Sequence, residues 1–525
     1  MITVSTWGVN QDIYFSTHEL SFVDLKATGT TLEAVGFNPT NTLLAALAIA
    51  FVLLMTPGLA LFYGGLVRRK STLTIINQCV ISLGVTTLIW IFGGFSLAFG
   101  PSVGKGIIGD ISTYFAFRNL LFDGSVADAN GVHGWAGNVG LVFSNFSGGV
   151  PLILFFAYQL AFAIITPPLM VGAFADRMKF RNYIVYLVLW QYFIYIPFAH
   201  WIWGQGFLAA AGVLDFAGGI VIHTTAGFGA LATSFVLGKR VILKSDKNRS
   251  NNIPMVVVGA TLLFFGWFGF NVGGSAFTSN EIETLPGVKE KVSYFLSVAP
   301  TSWINTIIAL AIGMVGWAIC ETIFNKNHKP TSVGLVTGAI AGLATITPAA
   351  GYIPIWASVP VGVAAVLVCF SCAKLMHHFH FDDSLEVWAV HGMGGVTGSI
   401  LIGAFASVNV LPSITYAASG YLFGIQVGAT ALAAAYAFVL TIIIVFITRP
   451  RLSATEQLSH IDIINHNEDA YGLANVYPCE CEAIAAEAKD YKSWHRHAGT
   501  TKVKLDKNAC TLSSNQVVSE DSNKA

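Results

Sequence analysis

The chain has 525 residues, of which 54% are hydrophobic and 11% charged, with mean hydropathy +0.65, a balance that excludes an ordinary soluble globular protein. Its 28 lysines and arginines offset 28 aspartates and glutamates, so nothing points to nucleic acid as a partner. Seven scattered cysteines form no disulfide framework; the Cys369/Cys372 pair lies in an apolar run where packing accounts for it, Cys479 and Cys481 make no metal set, and no cofactor is expected.

The segment 1–40 lacks a basic start and a continuous apolar stretch, so it reads as an extracellular N-terminal segment rather than a cleavable leader. Eleven apolar runs of membrane-spanning length follow, centred near residues 52, 87, 162, 192, 227, 264, 312, 340, 365, 397 and 436. They predict an all-α membrane domain over 41–447. Basic residues fall in alternate connections, at Arg68-Arg69-Lys70, Arg177 to Arg181, Lys239 to Arg249, Lys326 and Lys329, Lys374, and Arg449 and Arg451. The positive-inside rule then puts the N-terminus outside and the C-terminus in the cytoplasm. By that topology Asn145-Phe146-Ser147 is an external glycosylation sequon. Residues 448–525 turn polar and read as a cytoplasmic tail, disordered beyond about 480.

Two spans carry the same device. His223 and His391 each sit in the middle of an apolar run, and each has a carboxylate eight residues before it, Asp215 and Asp383. Eight helical residues rise about 12 Å, which puts each acid near a membrane face and each imidazole near mid-depth, where an ionisable side chain is functional by default. The fifth span begins outside and the tenth inside, so the histidines converge from opposite directions, as in an inverted repeat of five plus five spans with the eleventh added. Gly227 and Ala230 follow one histidine, Gly395 and Gly398 the other, and such residues let helices approach closely. The alternative is two unrelated histidines, each bonded to a helix carbonyl. Asp215 reads as a helix cap, a structural support; Asp382, Asp383 and Glu386 similarly open the tenth span.

The stretch 215–240, DFAGGIVIHTTAGFGALATSFVLGKR, resembles the signature of the Amt/Mep/Rh ammonium transporters. MTPGLALFYGGLVRRKS (55–71), YQLAFAIITPPLMVGAFADRMKF (158–180), GWFGFNVGGSAF (266–277), ITPAAGYI (346–353) and DDSLEVWAVHG (382–392) resemble further motifs in the same order. Trp203 in WIWGQG points to the Amt branch. The resemblance implies a plasma-membrane homotrimer, not an enzyme, with a pore in each subunit for ammonium or its analogue methylammonium. It implies ammonium recruitment at Trp203, Phe162 and a hydroxyl, a phenyl gate of Phe162 and Phe270, and a pore lined by His223 and His391. The position matching that hydroxyl is Gly274, with Ser275 one residue late. The tail segment HIDIINHNEDAY (460–471) resembles the family's regulatory motif, contributing Asp462, Asn467, Glu468 and Tyr471, with His460 and Asn467 where the pattern has glycines. It is expected to contact a neighbouring subunit and to offer a site for a cytoplasmic regulator.

Neutral imidazoles suit such a pore. Moving a bare cation into an apolar medium costs on the order of 20 kcal/mol, whereas a neutral amine costs only a few. Ammonia and the proton then travel separately, and two imidazoles sharing one proton offer a lone pair and a relay. Two other classes stay open at this point: an ammonium sensor with little flux, and a bis-histidine haem protein.

Overall fold

The computed structural model describes residues 38–118, 120, 150–241, 250–277, 298–379, 381–411, 414 and 416–472, with backbone alone at 3–7, 10–15, 141–143, 279–285, 288–293 and 295–297. The sequon at Asn145 and the chain beyond 472, with Cys479 and Cys481, lie outside the described residues.

Among the described residues ten helices are long and apolar enough to cross a membrane: α1 (Pro39–Leu66), α2 (Arg69–Phe99), α3 (Leu152–Phe174), α4 (Phe180–Ala210), α5 (Gly219–Leu237), α6 (Ile253–Phe277), α7 (Val298–Phe324), α9 (Ile355–His378), α10 (Trp388–Phe405) and α11 (Gly420–Thr448). A shorter apolar helix, α8 (Ser332–Ile346), lies between α7 and α9. The protein is thus a multi-pass membrane protein, and each of the eleven apolar runs coincides with one of these helices. Local chemistry starts several of them. Asn38 and Asn252 accept from the N–H groups of Asn41 and Met255 with prolines in the first turn, and Thr331 and Ser419 cap α8 and α11 in the same way.

Helix α1 packs along α6, α7 against α8 and α9, and α11 against α5 and α10. Four helices contain a π-helical turn: Trp90–Gly94 in α2, Gln191–Tyr195 in α4, Gly219–Thr224 in α5 and Trp388–Gly392 in α10. Such widened turns occur often at functional sites, and the last two carry His223 and His391.

Residues 449–472 pack on one face. Lys179 N donates to Pro450 O and Leu452 N to Arg177 O, both at 2.7 Å, and two short helices follow, α12 (Ala454–Leu458) and α13 (Ile461–His466). On the opposite face Phe207 N donates to Gly106 O, Phe216 N to Pro348 O and Ser407 N to Tyr352 O. The all-α expectation holds for the membrane helices; the connections add strands. β1 (Thr3–Trp7), β2 (Asn10–Phe15) and β5 (Leu141–Phe143) form an antiparallel sheet, and β3 (Ser102–Val103) with β4 (Ile108–Gly109), and β6 (Ser279–Leu285) with β7 (Val288–Ser293), form hairpins.

Candidate functional site

Small residues decide where α5 and α10 meet. A Cβ at Gly227 would fall on the backbone of Gly392, and one at Gly395 would lie 2.9 Å from the Cβ of His223. Only glycines allow so close a crossing. There the two imidazoles face each other with Nδ1 atoms 3.3 Å apart and ring planes 20° apart; one Nδ1 carries the hydrogen that the other accepts. Both residues are buried, 1% and 4% exposed. His223 Nε2 has no hydrogen-bond partner among the described residues.

A column of aromatic rings stands over His223. Phe270 lies 6.0 Å from its ring, Phe162 stacks 4.4 Å from Phe270, and Trp203 meets Phe162 edge-on at 6.0 Å. Tyr158 braces the stack: its ring packs 4.7 Å from Phe162 and its hydroxyl donates to Phe270 O at 3.1 Å. Trp267 stacks 5.6 Å from the His223 ring while its indole N–H donates to Thr347 Oγ1 at 2.8 Å, leaving its face to the imidazole. A cavity of about 20 Å³ beside the histidines is lined by Trp267, Phe270, Leu263 and Ile340. From the tail face a vestibule of about 300 Å³ reaches His391 past Arg68, Asp176, Arg240, Lys374 and Glu386. The rings of Phe162 and Phe270 are thus packed in contact on one side of the imidazole pair, and the vestibule reaches His391 on the other.

The acids differ. Asp215 accepts four N–H bonds, from Gly218, Gly219, Ile220 and Val221 at 2.7–3.0 Å, which satisfies the otherwise unpaired N–H groups of the first turn of α5. Its carbonyl accepts the Trp203 indole N–H at 2.8 Å, fixing that ring at the mouth. Asp383 accepts Trp388 N–H at 2.7 Å, but its Oδ1 has no hydrogen-bond partner among the described residues, and burial pushes its carboxyl up to about 6. The folded state thus holds a proton that the unfolded chain releases near pH 3.9. Its contribution to stability is largest below about pH 4 and is lost as pH rises through about 6. Asp383→Asn is expected to flatten that part of a melting-temperature profile; an unchanged profile would mean that another group produces it.

Ser275 is fully buried and its hydroxyl donates to Val272 O at 2.6 Å. A Cβ at Gly274 would meet the Phe216 ring at 3.4 Å, an ordinary contact. Gly274→Ser is expected to lower the half-saturation for ammonium by up to about five-fold, the worth of about 1 kcal/mol for one net hydrogen bond. No change there, with a large rise in Ser275→Ala, would assign the hydroxyl to Ser275.

The tail is docked on its own chain. Asp462 accepts the N–H groups of Leu73 and Thr74 at 2.9 and 2.8 Å. Ser71, at the start of that helical turn, makes no cap of its own; its hydroxyl reaches Asp176. Arg68 and Lys70 donate to the carbonyls of Gln457 and Leu458. Asn467 ends α13 with φ 54°, in the left-handed region; Glu468 is exposed, and Tyr471 OH donates to Asn251 Oδ1 at 2.8 Å.

Sequence reasoning missed Trp267 and Tyr158. Each has a signal at helical spacing, Trp267 three residues before Phe270 and Tyr158 four before Phe162. It also used the loop arginines only for topology, although buried charges require partners.

Comparison with known proteins bears on this geometry. A family profile described as Ammonium Transporter Family matches residues 43–471. Ammonium transporter Amt1 of Archaeoglobus fulgidus is 37% identical over 432 residues, covering 80% of this chain and 96% of that protein. The crystal structure of Mep2 from Saccharomyces cerevisiae is 32% identical with TM-score 0.67, covering 82% of this chain and 90% of that one. A solved sensor Amt protein, 24% identical over 79% of this chain and 96% of its own with TM-score 0.65, shares the fold. A profile match over most of the length, joined to an archaeal relative matched nearly end to end, places the chain in the ammonium transporter family.

Proposed function

We propose that the chain conducts ammonia across the plasma membrane, alone or with the proton carried separately, through a pore in each subunit of a homotrimer. The observation that carries this reading is the imidazole pair, 3.3 Å apart, between a closed aromatic stack and an open vestibule. Ammonium is recruited at Trp203 and Phe162, where an indole face contributes roughly 1–2 kcal/mol to a partly desolvated cation. It gives up its proton near the Phe162/Phe270 gate, because an ion below it would face the full desolvation cost. Ammonia then passes His223 and His391, one Nδ1 supplying a lone pair while the shared hydrogen offers a relay. In this reading α8 is an eleventh span, α1–α5 and α6–α10 form inverted halves, Trp203 faces outward and the tail lies in the cytoplasm.

The experiment is a current measurement on purified protein in proteoliposomes, with ammonium and methylammonium against potassium. Ammonium currents without potassium currents are expected; none at all would overturn transport. That outcome would favour the second reading, a sensor that binds ammonium and signals through the tail, which the docking of Asp462 on α2 supports. A haem between the histidines is disfavoured by geometry, since the two rings are in hydrogen-bond contact and the cavity beside them holds only about 20 Å³, far less than a porphyrin needs.

The tail segment Asp462, Asn467, Glu468 and Tyr471 is proposed as regulatory, with a cytoplasmic regulator as its partner. Truncation before residue 452 is expected to reduce flux while the membrane domain stays folded, since the spans carry their own hydrogen bonds. Asp462→Ala is expected to reproduce part of this and to cost about 1 kcal/mol of helix capping. Full flux in both at matched expression would make the tail a passive extension.

A further inference from the structure

On the tail face the connection before α10 is fastened to the exit of α5 by two arginines. Asp382 accepts the backbone N–H of Arg240 at 2.7 Å and its Nε at 3.1 Å, and Arg240 Nη2 completes a two-pronged ion pair at 3.0 Å. Arg177, fully buried, donates to Gly238 O at 2.5 Å, to Asp382 O at 2.8 Å, to Ser384 Oγ at 3.2 Å and to Ala173 O. Burial alone would raise the Asp382 carboxyl; the charges of Arg177 and Arg240 override it and hold the group below the ordinary carboxylate range. The next residue, Asp383, starts the π-helical turn that carries His391 by accepting Trp388 N–H.

We infer that Arg177, Asp382 and Arg240 are positioning residues for the imidazole pair. This rests on the reading that the pair is the conducting element. The crossing is a short stretch, from Gly227 on Gly392 to Gly395 on His223, and helices held only over such a stretch can still tilt about it. A second fastening at the feet of the same helices removes that freedom. The pair depends on both, because a hydrogen bond of 3.3 Å tolerates little displacement before it is lost. Arginine is needed for its fork: it reaches both carboxylate oxygens and neighbouring carbonyls at once, which a lysine ammonium cannot.

The test uses full-length protein in proteoliposomes, with Arg240→Gln, Asp382→Asn and the double variant. Each single variant is expected to lower ammonium current roughly ten-fold or more, since a misplacement of about 1 Å can cost ~100-fold. The double variant should be no worse than either single, because both remove one interaction. Arg240→Lys should recover only part of the current. In histidine-15N-labelled protein, the signals that disappear in His223→Ala and His391→Ala should shift in Arg240→Gln. Unchanged imidazole signals and current would overturn the inference, as would a loss of current that only tracks a fall in melting temperature or oligomer content. Absence of current in the wild type would instead overturn the transport reading, and the imidazole signals would still test the positioning.

Discussion

His391→Ala and His223→Ala are each expected to abolish ammonium current or to change its selectivity, while the oligomer and the melting temperature stay near those of the parent. Both rings are buried, but both line the small cavity and His391 also lines the vestibule, so removing either takes little from the packed core. Removing one also strands the other, whose Nδ1 then has no partner in an apolar wall and is costly to leave unsatisfied. Replacement by Glu is a useful contrast. A fixed negative charge lowers the barrier for any cation, so His391→Glu is expected to keep flux and admit potassium. Proteoliposome currents for both cations decide the matter, and normal ammonium transport with full selectivity in both alanine variants would put the pore elsewhere.

Gly227→Ala is expected to have an effect of similar size from a single methyl group. The new Cβ would fall on the Gly392 backbone, which cannot swing away as a flexible side chain would. Overpacking a core usually costs about 1–3 kcal/mol, and a backbone collision belongs at the upper end. Helices α5 and α10 would separate, the Nδ1 contact would break, and both current and melting temperature would fall. Gly84→Ala provides the control, since a Cβ there meets nothing within 4 Å and alanine is the better helix former by about 1 kcal/mol. If Gly227→Ala matches Gly84→Ala in both readouts, the helices do not meet as described.

The membrane helices were legible because lipid imposes a single rule on every span, a long apolar run, which ten helices among the described residues obey while α8 is shorter. The histidines were legible for the converse reason: His223 and His391 break that rule at matched positions. Their meeting could be anticipated from the glycines that follow them. Less legible were features made by pairs far apart in sequence. Arg177 and Asp382 are 205 residues apart, and nothing local to ADRMKF says which carboxylate will hold the arginine. Trp267 was hidden among apolar neighbours in α6, where one more aromatic carries no mark. The outer hydroxyl stayed open between Gly274 and Ser275, because on a tight helical turn a single step changes which way the side chain leaves the backbone. The docking of the tail on its own chain was not anticipated either, because the reading of 460–471 considered a neighbour rather than the loops beside it.

The cap that Asp462 provides to α2 has a consequence for how the protein is made. The first turn of α2 emerges from the ribosome early, while the carboxylate that closes the N–H groups of Leu73 and Thr74 lies 389 and 388 residues downstream. The foot of the second helix therefore stays unfinished until nearly the whole chain has been translated. A product that stops short of Asp462 would leave the N–H groups of Leu73 and Thr74 uncapped, and a helix end without a cap frays more readily.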